Sequence, residues 1–275
     1  MATIAVLSQK GGTGKTTAVR TLTDVFRRIE LRVLAVDLDP QGNLSDYLDV
    51  DPDAAPTIGD VLAGRAKAAE AVHDGLIPAN LSLAEAELML GGKMGRELGL
   101  GQALRELTGD YELIVIDCPP ALGLLTVNAL VASDYALLSA EAQYFAIQGV
   151  EQALEVIELV RERLNPNLRW LGVVLNIADM RTRHSQEALH TLREHFAEKV
   201  LDTPIRASIA YAESAERALS ILDYRPDLGI DYLKVADELL GRLGMEPARG
   251  RLSALLDGGV GQPRAPTGSD PHTER

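Results

Sequence analysis

Five short, almost wholly apolar runs punctuate the first two-thirds of the chain: TIAVLS (3–8), RVLAVD (32–37), ELIVID (112–117), YALLSA (135–140) and WLGVVLN (170–176). Their β-branched content and lack of in–out alternation predict strands buried on both faces, as in parallel sheets. Between and after them, apolar residues recur at helical spacing over 15–29, 98–108, 123–132, 147–164, 184–198 and 229–243. Strands alternating with helices predict an α/β fold, a doubly wound, mostly parallel sheet flanked by helices. Such folds place ligands beyond the carboxyl ends of their strands. Three of the runs end there in polar groups, Ser8, Asp37 and Asp117, which would converge at one edge of the sheet.

The periodicity fades near residue 245. Residues 246–275 contain nine Pro or Gly in thirty and balanced charge, which predicts a largely disordered tail behind a domain spanning 1–245. Within that tail RLSALL is long enough for one amphipathic turn, too short for a stable helix alone. A formal charge of −13 excludes a surface that is basic all over, though not a local basic patch. With a single cysteine, Cys118, there is no disulfide framework and no Cys-built zinc site within one chain. No export signal stands at the start, and no run approaches the roughly 18 apolar residues of a membrane span. A cytoplasmic protein is expected.

The chemistry concentrates in SQKGGTGKTT (8–17), between the first strand and the first helix. Glycines there let backbone N–H groups crowd around an anion, and the helix adds its positive end. In such a loop Lys15 would neutralise the β- and γ-phosphates and the Thr16 hydroxyl would bind Mg²⁺. The usual G-x-x-x-x-G-K-[ST] spacing is not met, because Gln9 occupies the first glycine position. Instead a second lysine, Lys10, opens K-G-G-T-G-K-T-T.

This segment, with Lys10, Gly11, Gly12, Thr13, Gly14, Lys15, Thr16 and Thr17, resembles the deviant Walker A motif of the ParA/MinD family of P-loop ATPases. The resemblance runs from residue 2 to about 243 and implies ATP and Mg²⁺ as cofactors. In that family the extra lysine crosses a homodimer to the phosphates held by the other subunit, a lysine counterpart of an arginine finger. VDLDPQGN (36–43) is similar to the family's DxDPQGN segment, which implies Asp37 at the metal's hydration shell and Asp39 positioning the attacking water. LIVIDCPPALG (113–123) resembles a Walker B strand with its switch loop, placing Asp117 at Mg²⁺ through water. Asn176, at the end of a strand, matches a polar adenine contact, since an amide can both donate and accept. Cys118 reads as a small buried hydrophobe rather than a reactive thiol.

TPIRASIAYAESAERALSILDYRPD (203–227) is similar to a late loop and helix of ParA-like partition proteins. The resemblance therefore implies a ParA/Soj-like ATPase of chromosome, plasmid or other cargo. Its ATP dimer would bind DNA without sequence preference on the nucleoid, and a ParB-type or other adaptor would stimulate slow hydrolysis. Candidate DNA contacts are Arg181, Arg183, Arg193, Arg206 and Arg217, although residues 181–217 hold six basic against six acidic side chains. The alternatives are a MinD-like ATPase acting at the membrane and a metabolic P-loop enzyme activating a carboxylate. A MinD-like protein would need a basic amphipathic terminal helix, and an amidase a nucleophilic cysteine. Relatives with a fused regulatory segment carry it ahead of the phosphate loop, and with seven residues before Ser8 none is expected here.

Overall fold

The computed structural model describes residues 1–51, 54–143 and 146–257. Six strands form one parallel sheet: β1 (Ala2–Leu7), β2 (Val33–Asp37), β3 (Leu76–Ile77), β4 (Leu113–Asp117), β5 (Tyr135–Glu141) and β6 (Arg169–Asn176), in the order β3-β2-β4-β1-β5-β6. The doubly wound α/β reading therefore holds. The helices are α1 (Lys15–Arg28), α2 (Asn43–Tyr47), α3 (Ile58–Ala63), α4 (Ser82–Leu90), α5 (Gly99–Arg105), α6 (Leu124–Val131) and α7 (Ala146–Arg163). They continue with α8 (Arg183–Phe196), α9 (Ala210–Glu216), α10 (Ile221–Tyr224), α11 (Pro226–Arg242) and α12 (Glu246–Asp257).

Strand geometry explains the continuous apolar runs. Alternate side chains of β1 enter different cores: Ala5 and Leu7 join one cluster, Ile4 and Val6 the other. One cluster lies under α3 to α8. The other is built on α1, α11 and α12, with Phe26 and Tyr232 among its largest fully buried side chains. The register pairs Asp37 with Asp117 across β2 and β4, and Val6 with Asp117 across β1 and β4. Hydrogen bonding between strands thus delivers both acids and the start of the glycine loop to one sheet edge.

The disordered-tail expectation is corrected for residues 246–257, which form α12. Ala248 and Leu252 are buried against α11, Arg249 pairs with Asp237 at 2.8 Å, and Arg251 donates to the Ile29 carbonyl at 2.6 Å. Tertiary packing of one short apolar stripe stabilises a helix whose Pro247 and Gly250 hide it in the sequence. RLSALL is part of this docked helix rather than a free amphipathic turn. The remaining tail, 258–275, lies outside the described residues.

Candidate functional site

The loop between β1 and α1 turns through Gly12 (φ +81°) and Gly14 (φ +77°), left-handed conformations that a side chain would strain. A Cβ built at Gly11 or Gly12 would meet nothing within 4 Å, because the loop fronts an open cavity of about 560 Å³. Helix α1 starts there with no side-chain cap and no acid in its first turn. Its amide donors and positive end are thus available to an anion.

Lys15 and Lys10 have opposite environments. The Lys15 side chain is 6% exposed and forms an ion pair with Asp117, which is fully buried. Thr16 Oγ1 donates to the other Asp117 oxygen at 2.7 Å. Burial raises the Asp117 carboxyl above its ordinary range, opposed by the charge and hydrogen bond of Lys15. Lys10, by contrast, is 66% exposed, donating at 3.3 Å to Gln143 and lying 3.9 Å from Glu141.

Of the two acids in the DPQGN segment, Asp39 lines the cavity and its Oδ1 accepts from the Gln41 amide at 3.0 Å. Asp37 does not. Its Oδ2 accepts from the Ser45 amide (2.9 Å) and hydroxyl (2.8 Å), and its Oδ1 accepts from the Asp39 amide at 3.1 Å. Burial first, then Asp117, pushes its carboxyl up to about 7. In this structure both Asp37 oxygens help to hold the loop and α2, and Oδ1, with a single donor, keeps a lone pair of the kind the expected contact with a metal-bound water would use. Ser45 in turn accepts from the Ala79 amide at 3.0 Å, tying the segment to the chain after β3.

Asn176 packs 3.5 Å from a Cβ built at Gly14 and donates from Nδ2 to Ser139 Oγ at 2.6 Å. Ser139 passes the link to the Thr13 carbonyl at 3.0 Å. Four buried side-chain polar atoms lack a partner among the described residues, and three belong to residues lining this cavity: Thr13 Oγ1, Asn176 Oδ1 and Tyr211 Oη. An unpaired buried polar group is costly, so their clustering fits a wall built for a polar ligand. No group of three or more His, Cys, Asp or Glu among the described residues could hold a metal outright. The Thr16 hydroxyl beside Asp117 instead fits a hydrated Mg²⁺, which takes few protein ligands alongside phosphate oxygens.

Most of the candidate DNA contacts have partners within the chain. Arg181 pairs with Asp179 at 2.8 Å, Arg193 lies 3.5 Å from Asp202, and Arg206 pairs with Asp231 at 2.7 Å while lining the cavity. Arg217 stands over the Tyr224 ring at 5.2 Å. Arg183, exposed at the start of α8, has no ion pair among the described residues. Cys118 is fully buried and burial raises its thiol, so it is packing rather than a nucleophile. Sequence reasoning missed Ser45, Ser139 and Tyr211, each of which matters only through contacts made by folding.

Residues 1–170 match the family model described as AAA domain. The chain is 37% identical over 245 residues to the sporulation initiation inhibitor protein Soj of Bacillus subtilis, covering 86% of this chain and 97% of that protein. It is 36% identical to the chromosome partitioning protein ParA of Caulobacter vibrioides, covering 87% and 94% respectively. Among solved structures, a Mycobacterium smegmatis protein named cobyrinic acid a,c-diamide synthase, with bound ADP and magnesium, is 39% identical with a TM-score of 0.71. That match covers 78% of this chain and 93% of the other.

Proposed function

Because this chain belongs to the ParA/Soj family of P-loop ATPases, we propose that it is a positioning switch that closes on ATP as a homodimer and hydrolyses ATP to drive segregation of a chromosome, plasmid or other cargo. The contrast between its two lysines carries the reading. Lys15 is sealed inside its own site, whereas Lys10 stands exposed at the rim with two weak partners to leave. An exposed cation beside a phosphate cradle suits a phosphate supplied by a second subunit.

Each residue then has a task. The backbone donors of Gly11, Gly12, Thr13 and Gly14 and the start of α1 hold the phosphate chain. Lys15 turns from Asp117 toward the β- and γ-phosphates, while Thr16 and Thr17 supply hydroxyls. Bound Mg²⁺ would neutralise charge developing on the phosphoryl oxygens. Asp117 and the Thr16 hydroxyl would hold it. Asp39, at the cavity wall, orients the attacking water. The free Asn176 oxygen accepts from the adenine amino group.

Non-specific DNA would be the track. Arg181, Arg193 and Arg206 must exchange an aspartate for a DNA phosphate, so binding should be weak in single subunits and fall steeply with salt. Doubling the surface on dimerisation makes it ATP-dependent, and a ParB-type adaptor would release it in the cytoplasm at the nucleoid. The membrane reading has less support. The buried apolar residues of α12, Ala248 and Leu252, pack on α11 and are not free to face a membrane. An amidase reading, suggested by the name of the Mycobacterium smegmatis protein, finds no nucleophile in buried Cys118.

Size-exclusion chromatography with light scattering in Mg²⁺ and ATP tests the switch, paired with phosphate release. Wild type should shift toward a dimer, Asp39→Ala should accumulate it without turnover, and Lys15→Ala should stay monomeric. No shift for either wild type or Asp39→Ala defeats the proposal.

A further inference from the structure

The cavity extends beyond the phosphate loop to a wall formed by residues 205–208, 211–212 and Tyr232. There the Tyr211 hydroxyl is closed off from solvent and has no hydrogen-bond partner among the described residues. Its ring is fixed edge-on against Tyr232, with centroids 5.9 Å apart and planes at 79°. The residue lies in the first turn of helix α9, whose Ser214 donates to the Tyr211 carbonyl at 2.9 Å, so backbone and ring are both held. The Arg206–Asp231 pair, nearby on the same wall, is satisfied internally and leaves the phenol unserved. Burial and then the charge of Asp231 raise the phenol above its ordinary range, keeping its proton.

We propose that Tyr211 reads the nucleoside end of the ligand, its hydroxyl making a hydrogen bond that exists only when base and sugar are seated. The inference rests on the nucleotide reading of the cavity and extends it to the end remote from the phosphates. The physical argument is an asymmetry. An unpaired buried hydroxyl opposes folding of the empty protein, so retaining it makes sense only if a later partner repays it. Of the other two unpaired oxygens, that of Thr13 belongs to the phosphate loop and that of Asn176, assigned above to the base, stands at the end of β6. Tyr211 comes from a separate segment of the cavity lining, after β6, where a second contact to the nucleoside would distinguish a nucleotide from a bare polyphosphate.

Tyr211→Phe removes one oxygen and keeps the ring. Calorimetric titrations of wild type and variant with ADP and with inorganic tripolyphosphate, each with Mg²⁺, separate the two ends of the site. Thermal melts of the empty proteins complete the set. The proposal expects ADP affinity to fall about 3- to 10-fold, roughly one net hydrogen bond, with tripolyphosphate affinity unchanged. The empty variant should melt at the same temperature as wild type or higher. Unchanged ADP affinity, an equal loss for both ligands, or a lower melting temperature of the empty variant overturns it. So does a variant that fails to fold, because the hydroxyl would then have a structural partner. If wild type itself binds no ADP, the nucleotide reading falls, a failure visible before any variant is compared.

Discussion

Replacing Lys15 with methionine should destabilise the empty protein in a way that depends on pH. Methionine keeps much of the lysine stem but removes the charge facing Asp117, at a site where the lysine is 6% exposed and the aspartate fully buried. Breaking a buried pair from one side typically costs about 3–5 kcal/mol, because the surviving ion is left unpaired. Asp117 can escape by binding a proton. Its carboxyl already lies above the ordinary range through burial, and losing Lys15 moves it further up. Below that raised value the folded state carries a proton that the unfolded carboxylate does not, so stability returns as pH falls toward 4. The return is about 1.4 kcal/mol per pH unit. Urea unfolding at pH 8 and pH 5.5 should therefore show a deficit relative to wild type of about 3 kcal/mol at the higher pH and about 1 or less at the lower. Adding Asp117→Asn should restore most of the loss at pH 8. An equal deficit at both pH values, or a double variant as weak as the single, refutes this account of the pair.

Other expectations follow from neighbouring features. Asp37, held at about 7 against an ordinary 3.8, makes wild-type stability rise as pH drops from 8 toward 5, because the native state takes up the proton first; chemical denaturation across that range reads it, and a flat profile counts against it. Leu252→Ala should cost about 2–3 kcal/mol in urea unfolding if α12 is docked as described, and under 0.5 if it is not. Gly42→Ala forces a side chain into a φ of +68° with its Cβ 2.9 Å from the Ala79 carbonyl oxygen. A loss of roughly 2 kcal/mol or more is expected by the same assay. Lys10→Ala should leave the melting temperature of the empty protein unchanged, its partners being exposed and weak, while abolishing the ATP-dependent mass shift; a retained dimer removes its proposed role.

The sequence made the sheet legible because parallel strands buried on both faces leave continuous apolar runs, and five of six were readable that way. β3 was not: two residues, Leu76 and Ile77, carry no periodicity. Helices α2, α3 and α4 were also missed, being short segments between Gly and Pro whose placement depends on neighbours. The phosphate loop was legible because glycine conformation and lysine charge act locally. The hydrogen bonds of Asp37 were not legible because its environment is set from elsewhere. Ser45, eight residues on, claims one oxygen, and no motif records that the remaining one goes to the Asp39 amide. The pairing of the arginines was hidden for the same reason: Asp231, which pairs with Arg206, is 25 residues away along the chain.

The buried thiol of Cys118 has a practical consequence. It is the only cysteine of the chain, and its inaccessibility means that the natural background is silent toward maleimides. A cysteine introduced at exposed Ser253, on α12, would give a single labelling point without first engineering the protein cysteine-free. Because Arg251 of the same helix reaches Ile29, just past the end of α1 remote from the glycine loop, a fluorophore there would sit about 20 Å or more from that loop. Two such labels would test the proposed subunit encounter by energy transfer without disturbing the glycine loop.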